Sequence, residues 1–143
     1  MKATISNGWS FRWVDNPDSI ALFEFVNPSC KLPKRRQLSG KILTQFSDQV
    51  VKNIKERAQK DLNGVTLTMD GWTNVVNQNI MGSILITSSG EVLVWQAMDI
   101  SGERSQTAEV KEKITSIAKS VLDKNIKISA IVTDSHSSYA AAR

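Results

Sequence analysis

Two aspartates occupy matching settings in this 143-residue chain. Asp70 closes an apolar, β-branched run in Thr68-Met69-Asp70-Gly71-Trp72-Thr73, and Asp134 closes another in Ile131-Val132-Thr133-Asp134-Ser135. If the two runs are neighbouring parallel strands, their carboxylates lie side by side at one sheet edge, with the strands about 4.8 Å apart. Hard carboxylate oxygens placed that way can share a divalent cation such as Mg²⁺. A pair of such ions clamps the attacking and leaving oxygens of a phosphoryl transfer. Each aspartate also has a simpler reading. Asp134 precedes a helical stretch and can cap it. Asp70 precedes a glycine and can bond nearby backbone amides in a turn. Spacing alone leaves both readings open.

The elements that would position this pair are visible in the hydrophobic pattern. Trp9, Phe11 and Trp13 alternate and read as a short extended piece. Asn16-Pro17 starts a helix with Ile20, Phe23 and Val26 on one face, and Asn27-Pro28 stops it. Cys30 to Ser39 reads as a loop carrying the basic run Lys34-Arg35-Arg36. A long helix follows, with Ile42, Leu43, Phe46, Val50, Ile54 and Ala58 at helical spacing and Asn63-Gly64 at its end. Strands are then expected at Val65 to Met69, Ile80 to Thr87 and Val92 to Ile100, the last two joined by the turn Ser88-Ser89-Gly90-Glu91. A helix from Gln106 to Asp123 follows, with a stripe of Val110, Ile114, Ile117, Ala118 and Val121. The last strand, Ile126 to Thr133, is almost continuously apolar and reads as buried on both faces. The order β-β-β-α-β-α predicts three antiparallel strands, a crossover helix and a fourth strand parallel to the first. The fold class expected is therefore α/β, with an incomplete mixed sheet behind an N-terminal helical and basic segment. The division falls at residues 1–63 and 64–143.

Composition narrows the function classes. No apolar run approaches the ~20 residues a membrane span needs, and Met1 to Phe11 lacks the apolar core of a signal peptide. The expectation is an intracellular protein with no membrane partner. The single cysteine, Cys30, reads as a packing residue, and one Cys with one His cannot build a zinc finger. Residues 1–60 carry 11 Lys and Arg against 5 Asp and Glu, whereas residues 61–143 carry 7 against 9. The basic front half can track phosphates or simply face solvent. The same two readings hold for Lys34, Arg35 and Arg36, a weak candidate for nucleic-acid contact or a solvated loop.

Asp70-Gly71-Trp72-Thr73 after an apolar strand resembles the D-x-W-T element of hAT-type DNA transposases, and Ile131 to Asp134 resembles their second catalytic Asp motif. Met98-Asp99-Ile100-Ser101 is similar to their D-x-S element. The aromatic segment Trp9 to Val14, Asn27-Pro28-Ser29 and Lys31-Leu32-Pro33-Lys34-Arg35 resemble a domain-of-unknown-function family associated with hAT proteins. The resemblance implies a ribonuclease H-like fold, nuclear location, DNA as partner, a homo-oligomer, and strand transfer driven by Mg²⁺ or Mn²⁺ held by three acidic residues. Asp70 and Asp134 match the first two, as catalytic and metal-binding groups. The third, a Glu beyond a large insertion, is expected after this segment. Ser135, His136, Ser137 and Ser138 stand where relatives often have an Asn. His136 reads as an exposed helix residue. Glu103, Glu109 and Glu112 belong to the crossover and do not replace the missing Glu. Asp99 reads as a turn or cap group, and Trp72 as packing beside the sheet.

These readings lead to a transposase-derived fragment that is inactive alone. The alternatives are a domesticated nucleic-acid- or protein-binding module without catalysis, and a truncated form of an intact enzyme. An apolar fourth strand without a fifth beside it is expected to promote aggregation.

Overall fold

The structure is a computed structural model that describes residues 1–101 and 107–133. The chain divides into two compact units, Met1–Lys52 and Asn53–Arg143.

The first unit is helical. Helix α1 (Lys2–Ser6) is followed by a 3-10 turn at Phe11–Asp15 and helix α2 (Pro17–Val26). Phe11 and Trp13 therefore lie in a helical turn, not an extended piece, with Trp9 just before it. The indole of Trp13 lies tilted against Trp9 and Phe23, with ring centroids 5.3 Å and 5.7 Å away, and its Nε1 donates to Thr4 Oγ1 at 3.1 Å. Contacts among the aromatics, rather than alternate burial on a sheet, account for their spacing. Asn16 caps α2 as expected, its side chain accepting from the amides of Asp18 and Ser19. The stretch read as a loop carries a short helix, α3 (Arg35–Gln37), and a π turn at Leu38–Ile42 that leads into the long helix α4 (Leu43–Gln59). Leu38 is buried there, so an apolar anchor inside the basic segment explains the extra turn.

The second unit is built on a four-stranded sheet. Its strands are β1 (Val65–Thr73), β2 (Asn79–Ile86), β3 (Val92–Asp99) and β4 (Ile128–Thr133), with α5 (Thr107–Leu122) crossing between β3 and β4. The spatial order is β3-β2-β1-β4. β1 runs antiparallel to β2, β2 antiparallel to β3, and β4 parallel to β1. This is the expected mixed topology.

Alternation decides which face is covered. Val65, Leu67 and Met69 of β1, Met81 and Leu85 of β2 and Leu93 of β3 are buried against Ile114, Ile117 and Val121 of α5. Ile54 and Ala58 from the second half of α4 join the same cluster. A bulge between Ser83 and Ile84 lets β3 re-aim Trp95, whose Nε1 donates to Ser120 Oγ on α5 at 3.0 Å. The opposite face carries exposed Trp72, Val94 and Val132.

Three connections hold the layers. Gln59 Nε2 donates to the Lys124 carbonyl at 2.6 Å, tying α4 to the turn before β4. Asp61, just after α4, accepts from both the amide and the hydroxyl of Ser88 in the β2–β3 turn. Gly64 enters β1 at φ +89°, and a Cβ there would run into Ser129 of β4 and the backbone of Lys127 just before it. Only glycine combines that backbone angle with that close approach. Asn63-Gly64 thus ends the connection to β1, while α4 itself ends at Gln59.

Two strand expectations change. β1 continues through Asp70, Gly71 and Trp72 to Thr73, because β2 supplies antiparallel partners for all of them. β4 is not buried on both faces. It is the edge of the described sheet, with Ile131 42% and Val132 47% exposed.

Leu67 is fully buried at the centre of the sheet, so Leu67→Ala is expected to cost about 2–5 kcal/mol of unfolding free energy, read from the denaturant midpoint. Val132→Lys adds a charge on the exposed face of the edge strand and is expected to lower concentration-dependent association in sedimentation. Unchanged association would exclude β4 as the sticky edge. The hydrogen bonds from Ser88, the backbone one foremost, lower the Asp61 pKa below the ordinary carboxylate value. A depressed folded pKa contributes stability above the unfolded value that is lost as pH falls through the folded one. Asp61→Asn should therefore be less stable at neutral pH and show a shallower loss of stability below about pH 4. Melting temperatures across an acid series would check this.

Candidate functional site

The proposed carboxylate pair depends on the end of the β1–β4 ladder. The parallel register runs Thr66↔Ala130, Leu67↔Ile131, Thr68↔Val132 and Met69↔Thr133. Asp70 is the next residue of β1 after the last of those pairs. The next residue of the chain after Thr133 is Asp134, which lies outside the described residues.

Asp70 is exposed and stands on the sheet face opposite the core. It does not sit in a glycine turn. It pairs with Gly82 across the β1–β2 ladder, and Gly71 pairs with Met81. One carboxylate oxygen accepts the Gly71 amide at 2.8 Å. No ion pair engages Asp70 among the described residues. Its remaining lone pairs face outward, so the side chain fits as one oxygen ligand of a hard divalent cation. No cluster of three or more His, Cys, Asp or Glu suited to a metal occurs among the described residues.

Gly82, opposite Asp70, leaves a bare strip of backbone. The six-membered ring of Trp72 lies over it, and a Cβ at Gly82 would meet that ring at 2.7 Å. Trp72 therefore packs on the sheet as expected while remaining 47% exposed, on the same face as Asp70.

Beyond Trp72 the chain makes a tightly bonded turn that sequence reasoning missed. Asn74 Oδ1 accepts the amides of Val76 at 3.0 Å and Gln78 at 2.9 Å, and Asn74 Nδ2 donates to Gln78 Oε1 at 2.8 Å. Asn77 takes φ +59° between them. Gln78 Nε2 donates to Asp99 Oδ2 at 2.8 Å, while Asp99 Oδ1 accepts from the amide and hydroxyl of Ser101. These bonds, the Ser101 hydroxyl first, hold the Asp99 carboxyl below its ordinary pKa. Asp99 is thus a turn group, as expected. Asn and Gln spaced around two valines was the available signal, a side chain able to mimic the backbone bonds of a turn.

The other candidates are separate. Lys34, Arg35 and Arg36 are exposed in the first unit, with Arg35 at 4.0 Å from the Asp15 carboxylate. Glu112 is exposed on α5. Glu103, His136 and the side chain of Glu109 lie outside the described residues. Cys30 is an exposed free thiol, not a packing residue. No helix among the described residues is long and apolar enough to cross a membrane.

No curated protein matches the chain. A family model described as "Domain of unknown function (DUF659)" matches residues 33–143. That span takes in the basic segment, the whole sheet and both aspartates, and it covers most of the sequence; the chain belongs to the DUF659 family.

Proposed function

We propose that this chain is part of the catalytic region of a hAT-type transposase, in which Asp70 and Asp134 hold a divalent cation for DNA strand cleavage and joining. DUF659 is a domain found in hAT-type transposases. The observation that carries the reading is the parallel ladder of β1 and β4, whose last pair, Met69↔Thr133, immediately precedes an aspartate in each strand's sequence.

Mg²⁺ or Mn²⁺ bound there would supply charge stabilisation for a phosphoryl transfer. Asp70 contributes an outward carboxylate whose orientation is set by the Gly71 amide and by its pairing with Gly82 of β2. Asp134 contributes the second carboxylate. The reading requires a third acidic ligand, a Glu by the resemblance, so this segment by itself is inactive. It makes DNA the partner and the nucleus the place of action. Lys34, Arg35 and Arg36, all exposed, are available for phosphate contacts that weaken with salt.

Calorimetric titration of Mn²⁺ into the purified chain tests the pair. Binding is expected in the wild type and lost in both Asp70→Ala and Asp134→Ala, with circular dichroism showing the same fold in all three. Absence of binding in the wild type, or binding that survives both substitutions, would overturn the reading.

A further inference from the structure

The first unit contains a cavity of about 510 Å³ between α2 and the chain that follows it. Asn27 creates it. Its carbonyl accepts the Cys30 amide at 2.9 Å and its Oδ1 accepts the Ser29 amide at 3.1 Å, so the chain turns back after α2. The returning chain then shares the lining with the 3-10 turn and with Ile20 and Glu24, which lie one helical turn apart on α2. No residue of α2 is buried, so this side of the helix is not used up in core packing. The lining sorts by chemistry. Val14, Ile20, Leu32 and Pro33 are buried or half-buried and form its apolar part. Asp15 and Glu24 stand exposed on the 3-10 turn and α2, and Lys31 and Lys34 stand exposed on the returning chain. Asp15 faces Arg35 at 4.0 Å. No ion pair engages Glu24, Lys31 or Lys34 among the described residues.

We propose that this cavity binds an unpaired nucleotide of a nucleic-acid strand, with its base on the apolar residues, its phosphates at Lys31 and Lys34, and a base amino group at Glu24. The volume lies in the range of small-ligand sites, about 300–1,000 Å³. Two unpaired ammonium groups beside an apolar surface fit an anion that carries a flat apolar part, and a phosphate next to a base is that combination. The basic run continues from Lys34 into Arg35 and Arg36, both exposed. It gives the neighbouring phosphates of a strand a surface to lie on, which a lone small anion would not use. Glu24 sets the selectivity. A carboxylate accepts from an amino group such as cytosine N4, whereas thymine presents the O4 acceptor there and is repelled. The site lies wholly within the first unit and does not depend on Asp70.

Cys30 lines the cavity, is exposed and is the only cysteine of the chain, so its alkylation rate reports occupancy at this place alone. The test treats the full chain with N-ethylmaleimide in the presence of short single strands of oligodeoxycytidine or oligothymidine. Both are expected to slow the alkylation, the cytidine strand at about tenfold lower concentration. Glu24→Gln should make the two strands equal while its melting curve stays that of the wild type. Lys31→Gln with Lys34→Gln should weaken both strands about tenfold or more. It should also lower the slope of log affinity against log salt by about 1.4, for two phosphate contacts at about 0.7 each. Strand binding seen by fluorescence anisotropy without protection of Cys30 would confine the contact to the basic run and overturn the proposal. Protection that ignores all three substitutions would overturn it as well. Protection by polyglutamate and by neither oligonucleotide would make the cavity a protein-binding site, and the nucleotide assignment would be wrong. Each of these failures leaves the Mn²⁺ test of Asp70 and Asp134 standing on its own.

Discussion

The proposed carboxylate pair depends on one register, that of β4 against β1. Parallel strands cannot be set by a tight turn, so their alignment comes from the crossover and from side-chain locks. Here the ladder carries an irregularity between Val65 and Thr66, where Val65 pairs with Ile128 but Thr66 pairs with Ala130. Ser129 is the extra residue, and its hydroxyl bonds the Asn63 carbonyl. Gly64 leaves the space for that contact. The irregularity brings Leu67 and Met69 level with Ile131 and Thr133. A slip of one residue would move every β4 side chain to the other face and put Asp70 out of step with the position after Thr133. The Asn63-Gly64 corner is therefore what holds the register through to Met69↔Thr133, on which the proposed carboxylate pair rests.

Much of this was legible because periodicity reports burial directly. Val65, Leu67 and Met69 alternate, and Ile114, Ile117 and Val121 repeat at helical spacing; both sets meet in one core. The mixed order followed from the hairpin and the crossover. What was not legible involved partners that a linear pattern does not name. Trp9, Phe11 and Trp13 alternate as strand residues would, yet Phe11 and Trp13 lie in a 3-10 turn, and Trp13 meets Trp9 and Phe23 with tilted rings. Gly71 looked like a strand end, but β2 pairs on through it to Thr73. The apolar content of β4 signalled burial on two faces, while the described sheet gives it a neighbour on one side only.

The candidate site was legible in type more than in setting. Asp70 was identifiable from its place after an apolar strand, but its pairing with Gly82 and the indole lying over that glycine depend on the β1–β2 register. Asn74 and Gln78 escaped notice because the tie of their turn to Asp99 at the end of β3 exists only through the β2–β3 pairing.

Hydrogen-bond bookkeeping then separates structural carboxylates from those available for chemistry. Asp61 spends both oxygens on Ser88 and a backbone amide of its own turn. Asp99 spends both on Ser101 and Gln78. In each case the donors favour the charged form and lower the pKa, and they also occupy most of the carboxylate's roughly four acceptor sites. Asp70 receives one backbone amide, enough to orient it, and keeps the rest of its acceptor capacity exposed. A carboxylate held on a paired strand, oriented by one bond and otherwise unspent, is the arrangement a metal ligand requires. Asp61 and Asp99, each accepting three hydrogen bonds, keep far less of that spare capacity, whatever short motifs surround them.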